Sequence, residues 1–154
     1  MLARRPGRPA ARRGTTMVET AVILSVLFLI LFGIVNGAVA VFRYQQCAHM
    51  AREGSRWAAV HNTEYAADTG NPACTADTVR TNAVLPQAVG MDPAAVGCVV
   101  TWKPDNRPYH VELVGKDVVY KTNTLSVTVS YTWNAGVVFG PLTVSSTSVS
   151  PVLY

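Results

Sequence analysis

The sequence predicts an α+β protein: one long N-terminal helix, half membrane-spanning and half exposed, packed on a small antiparallel sheet of three to four strands. Three observations carry this. No ionisable side chain occurs between Glu19 and Arg43. A helix-compatible pattern free of proline then continues to Val60. Segment 125–133 (LSVTVSYTW) alternates apolar and mostly hydroxyl-bearing residues with the period of two of a half-buried strand. The expected organisation is a basic leader over 1–14, a helix over 15–60 with its transmembrane part at about 20–42, and an extracytoplasmic head over 61–154.

The leader comes first. The 154 residues carry 13 Lys+Arg against 9 Asp+Glu, a formal charge of +4. Arg4, Arg5, Arg8, Arg12 and Arg13 all fall in 1–14, where no acid occurs, which leaves eight basic residues against nine acids and a formal −1 for 15–154. A nucleic-acid surface needs Lys and Arg spread over a folded face. Confined to a leader they build none, so no nucleic-acid partner is expected. Mean hydropathy of +0.22 with 14% charged residues is apolar for a soluble chain of this length, and membrane lipid is the expected surrounding of part of it.

Segment 20–42 is dominated by Ala, Val, Ile, Leu and Phe. As a helix it is about 35 Å long, enough for a hydrocarbon core of about 30 Å. The arginines before it, against the single Arg43 just after it, place the N-terminus in the cytoplasm and the head outside the cytoplasmic (inner) membrane, in a single-pass arrangement. Three readings of this N-terminus compete. It is a secretory signal peptide cut at the small-residue run Ala38-Val39-Ala40, an uncleaved signal anchor, or a segment cut before the helix between Gly14 and Thr15. Gly33, Gly37 and Ala40 share a small-residue face that would let a neighbouring helix approach closely, against the simpler reading that apolar stretches often contain such pairs. Asn36 beside this face could hydrogen-bond between helices.

The string Arg12-Arg13-Gly14-Thr15-Thr16-Met17-Val18-Glu19 resembles a type IV prepilin leader: a short basic peptide ending in Gly, then a hydrophobic helix with Glu at its fifth mature position. The resemblance implies a prepilin peptidase that cuts on the cytoplasmic side after Gly14, retention of the helix, and other pilin or pseudopilin subunits as partners. Glu19 is then an assembly and register residue, because a carboxylate at the bilayer edge is costly unless paired and the freed α-amino group of Thr15 on a neighbouring subunit is a cation. The bland reading of Glu19 is a capping box with Thr16. The two roles are compatible.

Beyond the membrane, Tyr44, Cys47, Ala48, Ala51, Ser55 and Ala58 recur at three- and four-residue steps, a stripe expected to hold the head or another helix. Ala48-His49-Met50-Ala51-Arg52-Glu53-Gly54-Ser55-Arg56 is similar to a stretch of TadE-like proteins, the small pseudopilins (minor pilins) of tight-adherence (Flp, type IVc) pilus systems, and Val18-Glu19-Thr20-Ala21 and Phe32-Gly33-Ile34-Val35-Asn36-Gly37 resemble the same family. Membership implies a structural role in assembling or priming an adhesive pilus, in the membrane or in the surface fibre, and no enzymatic activity. The resemblance covers about 12–60. Thr20 stands where major Flp pilins usually have Tyr, which argues against the main fibre subunit.

In the head, the polar segment 61–72 reads as a loop and 76–89 as a short helix limited by Pro86. Strands are expected at 98–102, 125–133 and 142–149, with 111–120 adding a short one. Cys74 and Cys98 could form a disulfide worth about 3 kcal/mol in the chain-entropy model, with Cys47 buried on the helix, against three reduced thiols. His49, His61 and His110 are isolated, without metal-ligand spacing, so no metal or cofactor is expected. No nucleophile elbow, phosphate loop or dinucleotide fingerprint nominates a catalytic residue. Trp102, Tyr131 and Trp133 are expected in the sheet core.

Overall fold

The structure, a computed structural model, describes residues 13–135 and 140–153, with side chains from residue 16 onward. Most of the leader expected over 1–14 therefore lies outside the described residues. The chain divides into two compact units, Met1–Ala38 and Val39–Tyr154. In order it forms α1 (Arg13–Val60), α2 (Thr63–Thr69), α3 (Ala76–Val79), β1 (Val96–Lys103), β2 (Tyr109–Val114), β3 (Asp117–Thr122), β4 (Thr124–Asn134) and β5 (Pro141–Pro151).

The described part of the first unit is the apolar start of α1. Every residue from 16 to 32 is exposed, and an 18-residue window with mean hydropathy 2.7 has none of its residues buried. Its polar side chains bond within their own helix: Thr20 Oγ1 to the Thr16 carbonyl, Ser25 Oγ to that of Ala21 and Asn36 Nδ2 to that of Phe32, each 2.8 Å. In lipid, where no water can satisfy a donor, that return of the side chain to the carbonyl one turn back is the available solution.

The second unit is built on residues 39–60 of α1. Cys47, Met50, Ala51, Gly54, Ser55, Ala58 and Ala59 are buried, three and four residues apart. This corrects the expected stripe: Tyr44 is 47% exposed, while Met50, Gly54 and Ala59 join the buried face. The sheet has the order β1-β4-β5. Both pairings are antiparallel, Val96↔Tyr131 through Lys103↔Thr124 and Thr124↔Pro151 through Asn134↔Pro141. Pleat alternation turns Leu125, Val127, Val129 and Tyr131 of β4 inward, where all are buried. Each such aliphatic side chain contributes about 1.5–3 kcal/mol on leaving water. The facing hydroxyls of the outer surface bond across strands, Thr128 to Thr147 and Thr132 to Thr143 at 2.8 Å.

Val79, Val84 and Met91 form the third wall of the core. Val79 and Val84 come from 76–87, a helical run that passes from α-helix to a π-type turn over Arg80–Val84 and a 3-10 turn over Leu85–Gln87, ending one residue past Pro86. Gly54 lets these walls close. A Cβ there would lie 3.2 Å from both Val127 Cγ1 and Val84 Cγ2. Trp102 and Trp133 pack against the core, and Tyr131 lies within it.

Two expectations for the head are corrected. Segment 61–72 is not only loop. Asn62, fully buried, caps α2 by accepting hydrogen bonds from the Glu64 and Tyr65 N–H groups, and Gly70 ends it at φ 73°. Segment 111–120 does not add a strand to the main sheet. It makes most of a separate hairpin of β2 and β3, turning at Gly115-Lys116 with Gly115 at φ 68°. A two-residue turn with φ > 0 pairs adjacent strands with each other, and neither strand is hydrogen-bonded to the three-stranded sheet.

Candidate assembly segment and head surfaces

Gly14 and Thr15 fall in the first turn of α1, which begins at Arg13. Thr16 is therefore inside the helix and not at its N-cap, and Glu19 lies beyond the first turn. The capping-box role expected of this pair is not filled in the uncut chain, because the helix extends upstream of it. Glu19 is exposed, flanked by Thr16 and Thr20 at the start of an uncharged stretch, and has no ionic or hydrogen-bond partner among the described residues. A carboxylate at the head of an uncharged segment is an acid awaiting a cation or water.

Further along, Gly33 and Gly37 leave open space: a Cβ built on either meets nothing within 4 Å. They stand four residues apart, one helical turn, on the first unit. Ala40 follows in the second unit, just past the boundary. Asn36 donates one of its two Nδ2 protons to the Phe32 carbonyl.

At the base of the head, Arg43 stacks over the Tyr131 ring at 5.5 Å and donates to Gln46 Oε1, whose amide reaches the Val89 carbonyl at 2.9 Å. At the other end of this helical segment Trp57, His61 and Tyr65 form a ladder, with ring centroids 4.0 and 4.7 Å apart. His61 Nδ1 lies 2.8 Å from the Trp57 carbonyl, so it carries the proton and donates. Asn62 then ties three segments together: beyond its cap it donates to the Leu153 carbonyl at 2.7 Å.

A cleft of about 500 Å³ lies between α2, the turn after β1 and strand β2, lined by Thr63, Glu64, Asp105, Arg107, Tyr109 and His110 among others. Beneath it the buried Asn123 accepts from His110 Nδ1 and donates to Asp105 Oδ1 at 2.6 Å. This chain fixes the imidazole, but no hydroxyl or thiol nucleophile hydrogen-bonds to that histidine among the described residues. Nor do three His, Cys, Asp or Glu gather anywhere in a metal-holding group among them. The cleft was missed in the sequence because its wall α2 was read as loop; Asn62 seven residues before Thr69 and the Gly70 stop were the available signal.

Of the two alternatives left open for Cys74 and Cys98, the structure has the thiols: Cys47, Cys74 and Cys98 are free. Cys74 is committed elsewhere, its Sγ donating to the Ala58 carbonyl at 3.7 Å and approached by Asn106 Nδ2. Cys98 sits on β1 opposite Val129. Burial pushes all three thiols above their ordinary pKa; Arg43 opposes this at Cys47, Asn106 at Cys74 and Arg80 at Cys98.

Compared with known proteins, residues 14–56 match the family model described as TadE-like protein. That match runs from the expected cleavage glycine through the Arg52-Glu53-Gly54-Ser55-Arg56 motif. No curated protein and no solved structure matches the chain.

Proposed function

We propose, from a chain whose residues 14–56 are TadE-like, that the protein is a minor pilin or pseudopilin that helps assemble or prime a tight-adherence pilus. Its role is structural. One long apolar N-terminal helix fits a single-pass membrane anchor. A prepilin peptidase removes the leader after Gly14, and the mature chain stays in the membrane through the helix until it meets other subunits. Glu19 then pairs with the new α-amino group of a neighbour's Thr15 and sets axial register. The observation that carries this reading is the coincidence, within six residues, of the glycine at which the family match begins and an exposed Glu19, without a partner among the described residues, leading an uncharged helix.

Cleavage there would remove the first two residues of α1, Arg13 and Gly14, and place Glu19 at the fifth position of the new helix start. An acid there is favoured by the helix dipole. Head and anchor also admit a second reading, an extracytoplasmic binding domain on an uncleaved signal anchor or one released after Ala40; the cleft beside α2 favours it as a place for a ligand. The N-terminus of the protein recovered from membranes separates them. Thr15 is expected. Val41 would overturn the pilin reading, and an intact Met1 would leave the plain anchor.

A further inference from the structure

The three-stranded sheet has two edges, β1 and β5, and they are treated differently. Two bonds of 2.9 Å flank β5, from Val152 N–H to the Asn123 carbonyl and from Ala135 N–H to that of Gly140. By alternation the even-numbered residues of β5 turn their backbone groups toward β4, and the odd-numbered ones turn theirs away from the sheet. At the β1 edge the same alternation points the Val96 carbonyl outward, where Arg80 Nε covers it at 3.2 Å. At the β5 edge the backbone groups of Thr143, Ser145, Thr147 and Val149 have no hydrogen-bond partner among the described residues.

Natural sheets protect an open edge with a charge, an interior proline, a bulge or a short strand. β5 has eleven residues and no ionisable side chain, and its register with β4 is unbroken from Thr124↔Pro151 to Asn134↔Pro141. Its two prolines stand at its ends, both at odd positions, where an edge strand tolerates a missing N–H. The Pro151 carbonyl is already taken by Ser150 Oγ at 3.2 Å. Pro141 and Pro151 thus bracket four residues free to pair. The layer beneath is also incomplete on this side. Inward side chains of β4 (Leu125, Val127, Val129, Tyr131) are buried, while those of β5 from Leu142 to Ser150 are half-buried.

We propose that the β5 edge takes β5 of a second copy of the chain, antiparallel, making one sheet of two three-stranded ones. A row of alternating peptide donors and acceptors recognises an extended strand, and β5 is its own complement. With Pro141 opposite Pro151 of the other copy, Thr143 meets Val149 and Ser145 meets Thr147, each twice by two-fold symmetry. All four free residues then form two-bond pairs, and the ladder stops where both chains lack an N–H. No like charges meet across the seam, because β5 carries none. A strand of another protein would need the same uncharged, proline-bounded match; a second copy brings it by construction. Inward, Val144 faces Ser148 and Ser146 faces itself, so each half-buried row gains a neighbour. The pairing needs only the fold of the head, and the pilin reading can fail without touching it.

The test is oxidative cross-linking of the full chain in native membranes, read by product mass without reductant. In this register Ser146 lies on the two-fold axis, in a pair whose Cα atoms are about 4.5 Å apart, within disulfide reach. Ser146→Cys should give a disulfide-linked homodimer about tenfold above the parent, whose own three thiols set the background. Ser150→Cys, on the same strand and face but opposite Leu142, should stay at that background. Thr147→Pro added to Ser146→Cys removes one free-edge N–H and should return the yield to background. Ser145→Lys, exposed and gentler on the backbone, sets like charges diagonally across the seam and should lower the yield severalfold. A yield from Ser146→Cys no higher than from the parent or Ser150→Cys, or one that Ser145→Lys leaves unchanged, overturns the β5 edge as a site. A cross-link only to a protein of different mass overturns the second copy as its occupant.

Discussion

Glu19 carries the sharpest test of the proposed function of any single residue. Its carboxylate stands exposed where the uncharged helix begins, without a partner among the described residues of its own chain. Glu19→Ala is expected to leave cleavage after Gly14 intact while incorporation of the subunit into pili or assembly complexes falls severalfold, read by N-terminal sequencing beside co-purification. Normal incorporation of a correctly cut Glu19→Ala variant would show that register is set elsewhere. The residue's isolated position was legible in the sequence, because a lone acid before 23 uncharged residues is visible without coordinates. Its lack of a cap role was not. Whether Thr16-x-x-Glu19 caps a helix depends on where the helix starts, and Arg13 and Gly14 extend it upstream.

Between elements, a close approach is made at Gly54, where α1 meets β4 and the wall carrying Val79 and Val84. Gly54→Val should destabilise the head by about 1–3 kcal/mol through overpacking, measured by chemical unfolding. Gly54→Ala should do far less, since a single methyl needs shifts of only a few tenths of an ångström and alanine favours the helix by about 1 kcal/mol. The three strands of the main sheet were legible because alternation marks a half-buried strand directly. On β5 that signal is weaker than it looks. The inward positions include Ser146 and Ser148, and Ser148 meets the buried Ser55 of α1 at 2.9 Å, hydroxyl to hydroxyl. The stripe on α1 was read only in part, because Tyr44 and Met50 both fit a helical spacing and only the head's extent decides which is covered. The separate hairpin was hidden for a related reason: its apolar face predicts burial, and the main sheet of its own chain does not supply it.

For the molecule as a whole, the second unit holds three free thiols, Cys47 and Cys74 buried and Cys98 half-buried. Burial raises each folded-state pKa above the unfolded value of about 9. Below that value both states are protonated and the stabilisation is fully present. As pH climbs through and beyond it, the unfolded chain ionises first and binds fewer protons than the folded one, so stability declines. The expected result is a midpoint of chemical unfolding that falls above about pH 9 in the parent and falls less when Cys47, Cys74 and Cys98 are all replaced by Ala.

The back-bonded side chains Thr20, Ser25 and Asn36 of the apolar helix bear on how such a segment changes surroundings. Each carries its acceptor with it, so those bonds need not break when the helix leaves lipid for the middle of a bundle. Lipid and bundle then act as two apolar solvents of nearly equal polarity, and partition between them turns on fit. Acyl chains fill any groove loosely; a neighbouring helix fills one closely only where a residue leaves room, as Gly33 and Gly37 do. On the proposed assembly role, the helix would be stored in one solvent and dissolve in the other, with shape deciding the direction.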